Sequence, residues 1–342
     1  MMTSREQGDS SSYIPMPLVN SKLNRGEVKS YVDSLPDTEE KEIALAEYYY
    51  FTGMHSECEA ITSRYINHLD INLRMSAWFM YVFSNLFLNR QEEARAGLDA
   101  IYGMINSGLS GSIDPSAQAL LVFVANAGNV LLHLEINNVP PLNEYICLLP
   151  PGLKIFGCYV LAHQAYLNGE YEKGIGIVET SLALEGESYL IPTIYLYLSG
   201  AMNAMSLEKV ELGKDFFGKA FALAKDDGLF EALGEHHGLL QGLIEICLRK
   251  NEKVYYEKII DITYQFSYGW RRVHNPITNS NVADTLTTTE FTVAMLANKG
   301  WTNVEIADYL ELNINTVKSH IANVFSKLGI NSRKELNEFM LK

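Results

Sequence analysis

The sequence predicts an all-α protein in which an α-solenoid of paired helices precedes a small module of four short helices. From about residue 21 to Phe266, apolar residues recur three and four positions apart, and no strand-like alternation is present. Within this stretch a set of small and aromatic residues recurs about every 37 to 40 positions. The last 57 residues instead hold several helix-start signals close together.

Length and composition fit a folded chain of more than one domain. The 342 residues are 47% hydrophobic and 20% charged. No stretch approaches the roughly 18 consecutive apolar residues of a membrane helix, and the start resembles no secretory signal. We therefore expect a cytoplasmic protein without membrane contact. The four cysteines, which form no C-x-x-C pair, are expected to be small buried residues rather than disulfides or zinc ligands.

Composition shifts divide the chain into four parts. Residues 1–20 are rich in serine and carry two prolines, so we expect a flexible tail. Residues 21–274 form the helical repeat region. Residues 275–284 are polar, contain Pro276 and are expected to be a linker. Residues 285–342 form the C-terminal module.

The repeat consists of a small residue, an aromatic residue four positions later and a glycine after three more. It occurs at Ala46, Tyr50 and Gly53, again at Ala162, Tyr166 and Gly169, and in part at Phe87. The small residue allows close helix approach, the aromatic ring fills the groove and glycine ends the helix. Single hairpins cannot bury their own faces, so stacking into a solenoid is expected. Residues 163–184 resemble a tetratricopeptide repeat, as do 47–66 and 194–224 more weakly. We call the region TPR-like; a non-repetitive helical bundle is the alternative.

Four helix starts are marked in the C-terminal module. Three sites fit the capping-box pattern, namely Thr287 with Glu290, Thr302 with Glu305 and Ser332 with Glu335. Asn313 is a fourth cap, and Gly300 and Gly329 follow the ends of the first and third helices. The pattern predicts helices that open near residues 288, 303, 314 and 333. Only three residues join the second and third, the length of a helix-turn-helix link.

Four sequence blocks of the module resemble a known family. They are LTTTE at 286–290, GWTNVEIA at 300–307, TVKSH at 316–320 and KLGINSR at 327–333. In order and spacing they are similar to the LuxR/GerE-type helix-turn-helix, a family whose members are mostly transcription regulators. The resemblance covers about a sixth of the chain and implies binding to double-stranded DNA.

The resemblance also implies roles for individual residues. The helix at 314–328 would be the recognition helix in the major groove, with Lys318 reaching base edges or phosphate. The residues implied to hold the DNA backbone are Thr302, Asn303, Thr316, His320 and Lys327. The last helix is the dimerising element in relatives, so we expect a homodimer on DNA.

Helical periodicity independently selects the DNA-facing side of this helix. Apolar residues at steps of three and four form a stripe made of Val317, Ile321, Val324, Phe325 and Leu328. This stripe turns Lys318, Ser319, Ala322 and Asn323 outward. Since Ser319 and Ala322 are short, Lys318 is the main long side chain on that face. Six basic and seven acidic residues at 284–342 make the module nearly neutral, so we expect weak binding by a monomer.

Three further features are expected to be structural. Adjacent residues on a helix point about 100° apart, so His236 and His237 cannot share a metal ion, and we expect hydrogen-bonded side chains. The tyrosines at 48–50 suggest either an aromatic ligand cage or core packing, and the helical spacing favours packing for Tyr50. Arg333 opens a helix, so we expect an internal ion pair, with Glu290 as the candidate partner, rather than a phosphate contact.

The sequence therefore favours a transcription regulator and not an enzyme. We recognise no nucleophile with its base, no paired catalytic carboxylates and no metal or cofactor motif. We expect the solenoid to sense a small ligand, a peptide or a protein partner and to control the module, with RNA polymerase as a further partner at the promoter. The alternative is a protein-interaction adaptor or anti-regulator in which DNA binding is weak or incidental, because the net charge of −14 repels phosphate.

Overall fold

The computed structural model describes residues 13–109, 114–134, 136–274 and 286–339. Within these ranges the chain is all-α, as predicted, and has no strand. None of the helices described is long and apolar enough to cross a bilayer. The predicted linker, 275–284, lies outside the described residues. The helices are α1 (Val28–Ser34), α2 (Glu39–Phe51), α3 (His55–Thr62), α4 (Ile71–Phe87), α5 (Gln91–Leu109), α6 (Pro115–Leu131), α7 (Leu142–Tyr145), α8 (Pro151–Leu167), α9 (Tyr171–Glu185), α10 (Leu190–Ser206), α11 (Val210–Ala224), α12 (Glu231–Glu235), α13 (Leu243–Leu248), α14 (Lys253–His274), α15 (Thr288–Asn298), α16 (Asn303–Leu310), α17 (Ile314–Leu328), and two 3-10 helices, Ile146–Leu148 and Arg333–Glu338.

Helices of the repeat region pack as successive hairpins. The helix pairs α2/α3, α4/α5, α8/α9 and α10/α11 are in contact, and the first helices of neighbouring hairpins also touch, α2 with α4 and α8 with α10. The predicted turn glycines, Gly53 and Gly169, have φ values of 80° and 75°, which favour glycine. Ala46 and Ala162 are fully buried between helices. The region is therefore solenoid-like.

After α11 the regular pairing stops, although the sequence predicts paired helices as far as Phe266. The two next helices have only 5 and 6 residues. Gly228 and Gly242 interrupt the chain here with φ values of 69° and 91°. The short α12 contacts both α10 and α2, and the long α14 packs on α4, α5 and α12. These contacts bring the two ends of the repeat region together, so the first helices of the hairpins surround a common interior.

Residues 13–20, which we expected to belong to a loose tail, are packed against the repeats. Leu18 and Val19 are each 1% exposed, and their amides donate hydrogen bonds to the Glu47 carboxylate over 2.8 and 3.1 Å. Burial raises the pKa of the Glu47 carboxyl to about 8. The hydrogen bonds from the two amides act in the opposite direction and lower this pKa. The expectation of a loose tail rested on the serine and proline content of residues 1–20. That content hides the apolar pair Leu18 and Val19, which packs against the repeats. Residues 1–12 lie outside the described part.

The C-terminal module has a hydrophobic core of its own. Helices α15, α16 and α17 and the 3-10 helix at Arg333–Glu338 surround it. Its fully buried members are Val293, Ala294, Leu296, Ile306, Val317, Val324 and Leu336. Because the module has its own core, its fold depends on its own sequence. The closely spaced helix-start signals of the last 57 residues predict such a separate module.

Candidate nucleic-acid interface

Local capping determines where the first three helices of the module begin. Thr287 Oγ1 accepts a hydrogen bond from the Glu290 amide over 3.2 Å, and a Glu290 carboxylate oxygen accepts one from the Thr287 amide over 2.9 Å. Thr302 and Glu305 form the same reciprocal pair. Asn313 Oδ1 accepts a hydrogen bond from the amide two residues later over 2.8 Å. The predicted starts of α15, α16 and α17 are confirmed, because each is set by groups within three residues of one another.

The fourth helix begins at Arg333, as predicted, but the capping box predicted for Ser332 and Glu335 is wrong. The Ser332 hydroxyl donates to the Glu335 carboxylate over 2.5 Å, and it forms no cap hydrogen bond with the backbone. The segment from Arg333 to Glu338 is a 3-10 helix, in which the turn is tighter than in an α-helix. The other Glu335 oxygen accepts a hydrogen bond from the Asn331 amide over 3.4 Å, and not from the Ser332 amide as a capping box requires.

A short turn joins α16 to α17, as in a helix-turn-helix. Glu311 has left-handed backbone angles, φ 52° and ψ 43°, and it ends α16 without a glycine. Gly300 and Gly329 have φ values of 91° and 66° after α15 and α17, as predicted. The turn therefore reverses the chain within Glu311, Leu312 and Asn313 and sets α17 across α16, which it contacts.

One side of α17 is buried and the other faces solvent. Val317, Ile321, Val324 and Leu328 are buried, and Phe325 is half-buried, so the predicted stripe is the packing face. The four side chains predicted to face DNA are all exposed: Lys318, Ser319, Ala322 and Asn323. We call this exposed side the α17 face. It presents one long cation beside short or polar side chains.

The residues implied to hold the DNA backbone lie around the α17 face and differ in accessibility. Thr302 and Thr316 are exposed, and Asn303 and His320 are half-buried. Nδ1 of His320 is buried and has no hydrogen-bond partner among the described residues. The Thr302 hydroxyl is a cap and the Asn303 Oδ1 atom accepts a hydrogen bond from Arg333, so both side chains are held in place.

An ion pair inside the module corrects one expectation. Glu290 pairs with Lys327 over 2.6 Å, not with Arg333. Burial opposes ionisation of Glu290, but hydrogen bonds from Lys327 and from Thr287 hold the pKa of its carboxyl below the usual value. The ion pair expected for Arg333 is also wrong, because within the described part of the chain its guanidinium donates to two neutral acceptors, the Trp301 carbonyl and Asn303 Oδ1. The pairing depends on how α15 and α17 pack, which no local pattern specifies.

The module rests on the repeat region through α16 and α15 rather than through the α17 face. Arg249 donates to the Leu310 carbonyl over 2.9 Å, and Lys250 pairs with Glu311. Gly242 lies close to Leu310, because a Cβ atom built on it would be 3.0 Å from a methyl carbon of that leucine. Further contacts come from Ser206 of α10, which bonds Lys299 over 3.2 Å, and from the Tyr264 hydroxyl of α14, which accepts from the Thr288 amide over 3.2 Å. None of these contacts involves the α17 face, which remains accessible to a partner.

A buried polar chain crosses this contact. His237 Nε2 lies 2.7 Å from Glu245 Oε1, and the Thr292 hydroxyl of α15 donates to the same oxygen over 3.3 Å. His236 turns away from this chain and contacts the Tyr159 hydroxyl over 3.0 Å, so the two histidines have separate partners, as expected. Sequence reasoning missed Glu245 and Thr292, which are 47 positions apart and belong to no motif.

Comparisons with known proteins concern the C-terminal part of the chain. The family model for bacterial regulatory proteins, luxR family, matches residues 284–340. The chain is 37% identical over 79 residues to the oxygen regulatory protein NreC of Staphylococcus aureus, covering 20% of this chain and 36% of that protein. It is 29% identical over 102 residues to the Fimbriae Z protein of Escherichia coli, covering 29% of this chain and 49% of that protein.

The chain thus spans at most about half the length of these relatives. No solved structure matches the chain. The matched segment coincides with the helices whose caps, turn and α17 face are described above. Residues 284–340 are a domain of the luxR family of bacterial regulatory proteins, joined in this chain to a solenoid-like helical region.

Proposed function

We propose that this chain is a DNA-binding transcription regulator whose repeat region senses a small ligand, a peptide or a protein partner and controls the helix-turn-helix module. The observation that carries the proposal is the α17 face, which is exposed beside a buried stripe in a domain of the luxR family. A helix of 15 residues is about 22 Å long and fits the major groove, which is about 12 Å wide.

In this proposal each side chain around α17 has a defined role. Lys318 reaches base edges or phosphate, and the short side chains of Ser319 and Ala322 let the helix approach the bases. Asn323 presents an amide that can pair with a base edge. The backbone contacts come from Thr302, Asn303, Thr316 and His320, with Lys327 at the margin because it also holds Glu290.

Binding by one module is expected to be weak, because its net charge is close to zero and few phosphates are neutralised. We therefore propose a homodimer on DNA, since two linked modules raise the effective affinity without new contacts. RNA polymerase at the promoter is the second macromolecular partner in this proposal, and the cytoplasm is its location.

Replacing Lys318 by alanine is expected to weaken DNA binding about tenfold, equivalent to about 1.4 kcal/mol, because the α17 face loses its long cation. The measurement is a gel shift with DNA from the protein's own locus at several salt concentrations. If Lys318 contacts a phosphate, the slope of log affinity against log salt also falls by about one per contact. Lys219→Ala is the matched control, because Lys219 is an exposed lysine of α11 in the repeat region.

The outcome also separates this proposal from the adaptor alternative. An adaptor is favoured by the net charge of −14, most of which lies outside the module. If the wild-type chain prefers no fragment over unrelated DNA at low salt, or if Lys318→Ala and Lys219→Ala behave alike, the adaptor is the better description.

A further inference from the structure

Arg333 links the last helix of the module to the start of α16. It is the first residue of the 3-10 helix at Arg333–Glu338, and its guanidinium reaches both sides of the Thr302 cap. Nη1 donates to the Trp301 carbonyl over 2.5 Å, and Nη2 donates to Asn303 Oδ1. One side chain therefore holds the residue before the cap and the residue after it.

The chemistry of the guanidinium determines which way the Asn303 amide points. An arginine side chain carries donors and no acceptor, so on an asparagine it can bond only the carbonyl oxygen and not the NH2 group. With Oδ1 held by Arg333, Nδ2 lies on the other branch of the planar amide. Nδ2 has no acceptor among the residues that the structure describes, and Asn303 is half-buried rather than enclosed. Its two N–H donors remain available to a ligand.

The acidic side chains on the same two helix starts are bonded elsewhere. Glu305 accepts from the Thr302 amide over 2.6 Å, and Glu335 accepts from the Ser332 hydroxyl. Both described partners of Arg333 are neutral oxygens, so the side chain does not act through an ion pair with a described carboxylate. Hydrogen bonds from a charged donor are stronger than those between neutral groups, so they fix the orientation of the amide firmly.

The position of Asn303 gives this orientation a use. Asn303 lies beside the exposed Thr302, among the residues around the α17 face that are proposed to hold the DNA backbone. Side-chain amides bind phosphate oxygens through their N–H groups, and such contacts fix the register of a protein on the duplex. A side chain that is already ordered loses less entropy when it binds. An amide held in advance is therefore a better phosphate ligand than a freely rotating one.

We propose that Arg333 is a positioning residue for DNA binding. It holds Asn303 Oδ1 so that Nδ2 donates to a phosphate oxygen of the DNA backbone, and its bond to the Trp301 carbonyl keeps the start of α16 in place. Arg333 itself does not contact DNA in this arrangement. The inference rests on the proposed function and names the residue that prepares one of its phosphate contacts.

The first test is a double-mutant cycle, measured by gel shift of the full chain with DNA from its own locus. Arg333→Ala and Asn303→Ala are each expected to weaken binding about fivefold. The double variant is also expected to lose about fivefold, instead of about 25-fold, because both changes remove the same contact. Lys334→Ala is the matched control, because Lys334 is the next residue, carries the same charge and is exposed. It is expected to change affinity less than about twofold.

Ethylation interference separates positioning from a contribution to folding, because it reports the contacted phosphates one by one. Arg333→Ala and Asn303→Ala are expected to lose interference at the same phosphate in each half-site. Protection of guanine N7 by α17 should remain once the DNA is saturated with protein. A module that is only less stable would instead lose all its contacts in proportion.

Unchanged affinity in Arg333→Ala overturns the proposal, and so does a double variant whose loss is the product of the two single losses. Equal loss at every phosphate assigns Arg333 to folding and overturns it as well. If Arg333→Ala does not fold, Arg333→Lys gives the same test, because lysine keeps the charge but lacks the planar fork that serves two acceptors. A wild-type chain that prefers no fragment over unrelated DNA refutes the proposed function, and this inference with it. The other outcomes require wild-type binding, so the two failures are distinct.

Discussion

Replacing His237 by alanine is expected to lower the free energy of unfolding by about 3–5 kcal/mol, because the change leaves the buried Glu245 carboxylate without its main partner. Glu245 is 2% exposed. Burial opposes its ionisation, yet the His237 imidazole holds the pKa of that carboxyl below its usual value. Urea denaturation followed by circular dichroism of the full chain measures the loss.

The double variant His237→Leu with Glu245→Leu is the control for this prediction. Removing both polar partners leaves no unpaired buried charge, so we expect the double variant to recover at least half of the lost stability. A loss below about 1 kcal/mol in the single variant would show that the His237–Glu245 contact is not a buried ion pair.

Glu290→Ala has the second large expected effect, about 2–3 kcal/mol on the stability of the module. The change removes a capping box, which contributes about 1 kcal/mol, and also the ion pair with Lys327. The side chain of Lys327 is 34% exposed, so solvent screening limits the second contribution. Hydrogen exchange of the α15 and α17 amides, measured in the full chain, reports the loss without interference from the repeats.

Glu305→Ala provides the matched comparison, because Glu305 completes the same kind of capping box at an exposed position and forms no ion pair with any residue that the structure describes. We expect that variant to cost only about 1 kcal/mol. Equal effects of the two substitutions would mean that the pairing of Glu290 with Lys327 adds nothing to stability.

Features of the module that depend on neighbouring residues were predictable from the sequence. The starts of α15, α16 and α17 follow from hydroxyl and amide side chains within three residues of the free backbone groups. The bounds of α17, Ile314–Leu328, follow from Asn313 at one end and Gly329 at the other. The exposed position of Lys318 follows from helical period alone.

Features that depend on distant contacts were not predictable. The partner of Glu290 lies 37 positions away, and packing of α15 on α17 selects Lys327 rather than Arg333. Tyr50 and Glu235 meet across 185 positions because α12 returns to α2. Tyr50 is buried, as its helical spacing predicts. No sequence pattern near residue 50 indicates that the Glu235 carboxyl group lies beside it. Local patterns therefore predict the nucleic-acid interface better than the interior of the repeats.

The most direct test of the account is methylation protection of guanine N7, which lies in the major groove, on a fragment that the wild-type chain binds. If the α17 face enters that groove, we expect protected guanines in one or two half-sites about 10 base pairs apart, and loss of that protection in Lys318→Ala. Binding that leaves every guanine N7 as reactive as in free DNA would contradict the placement of α17 in the major groove.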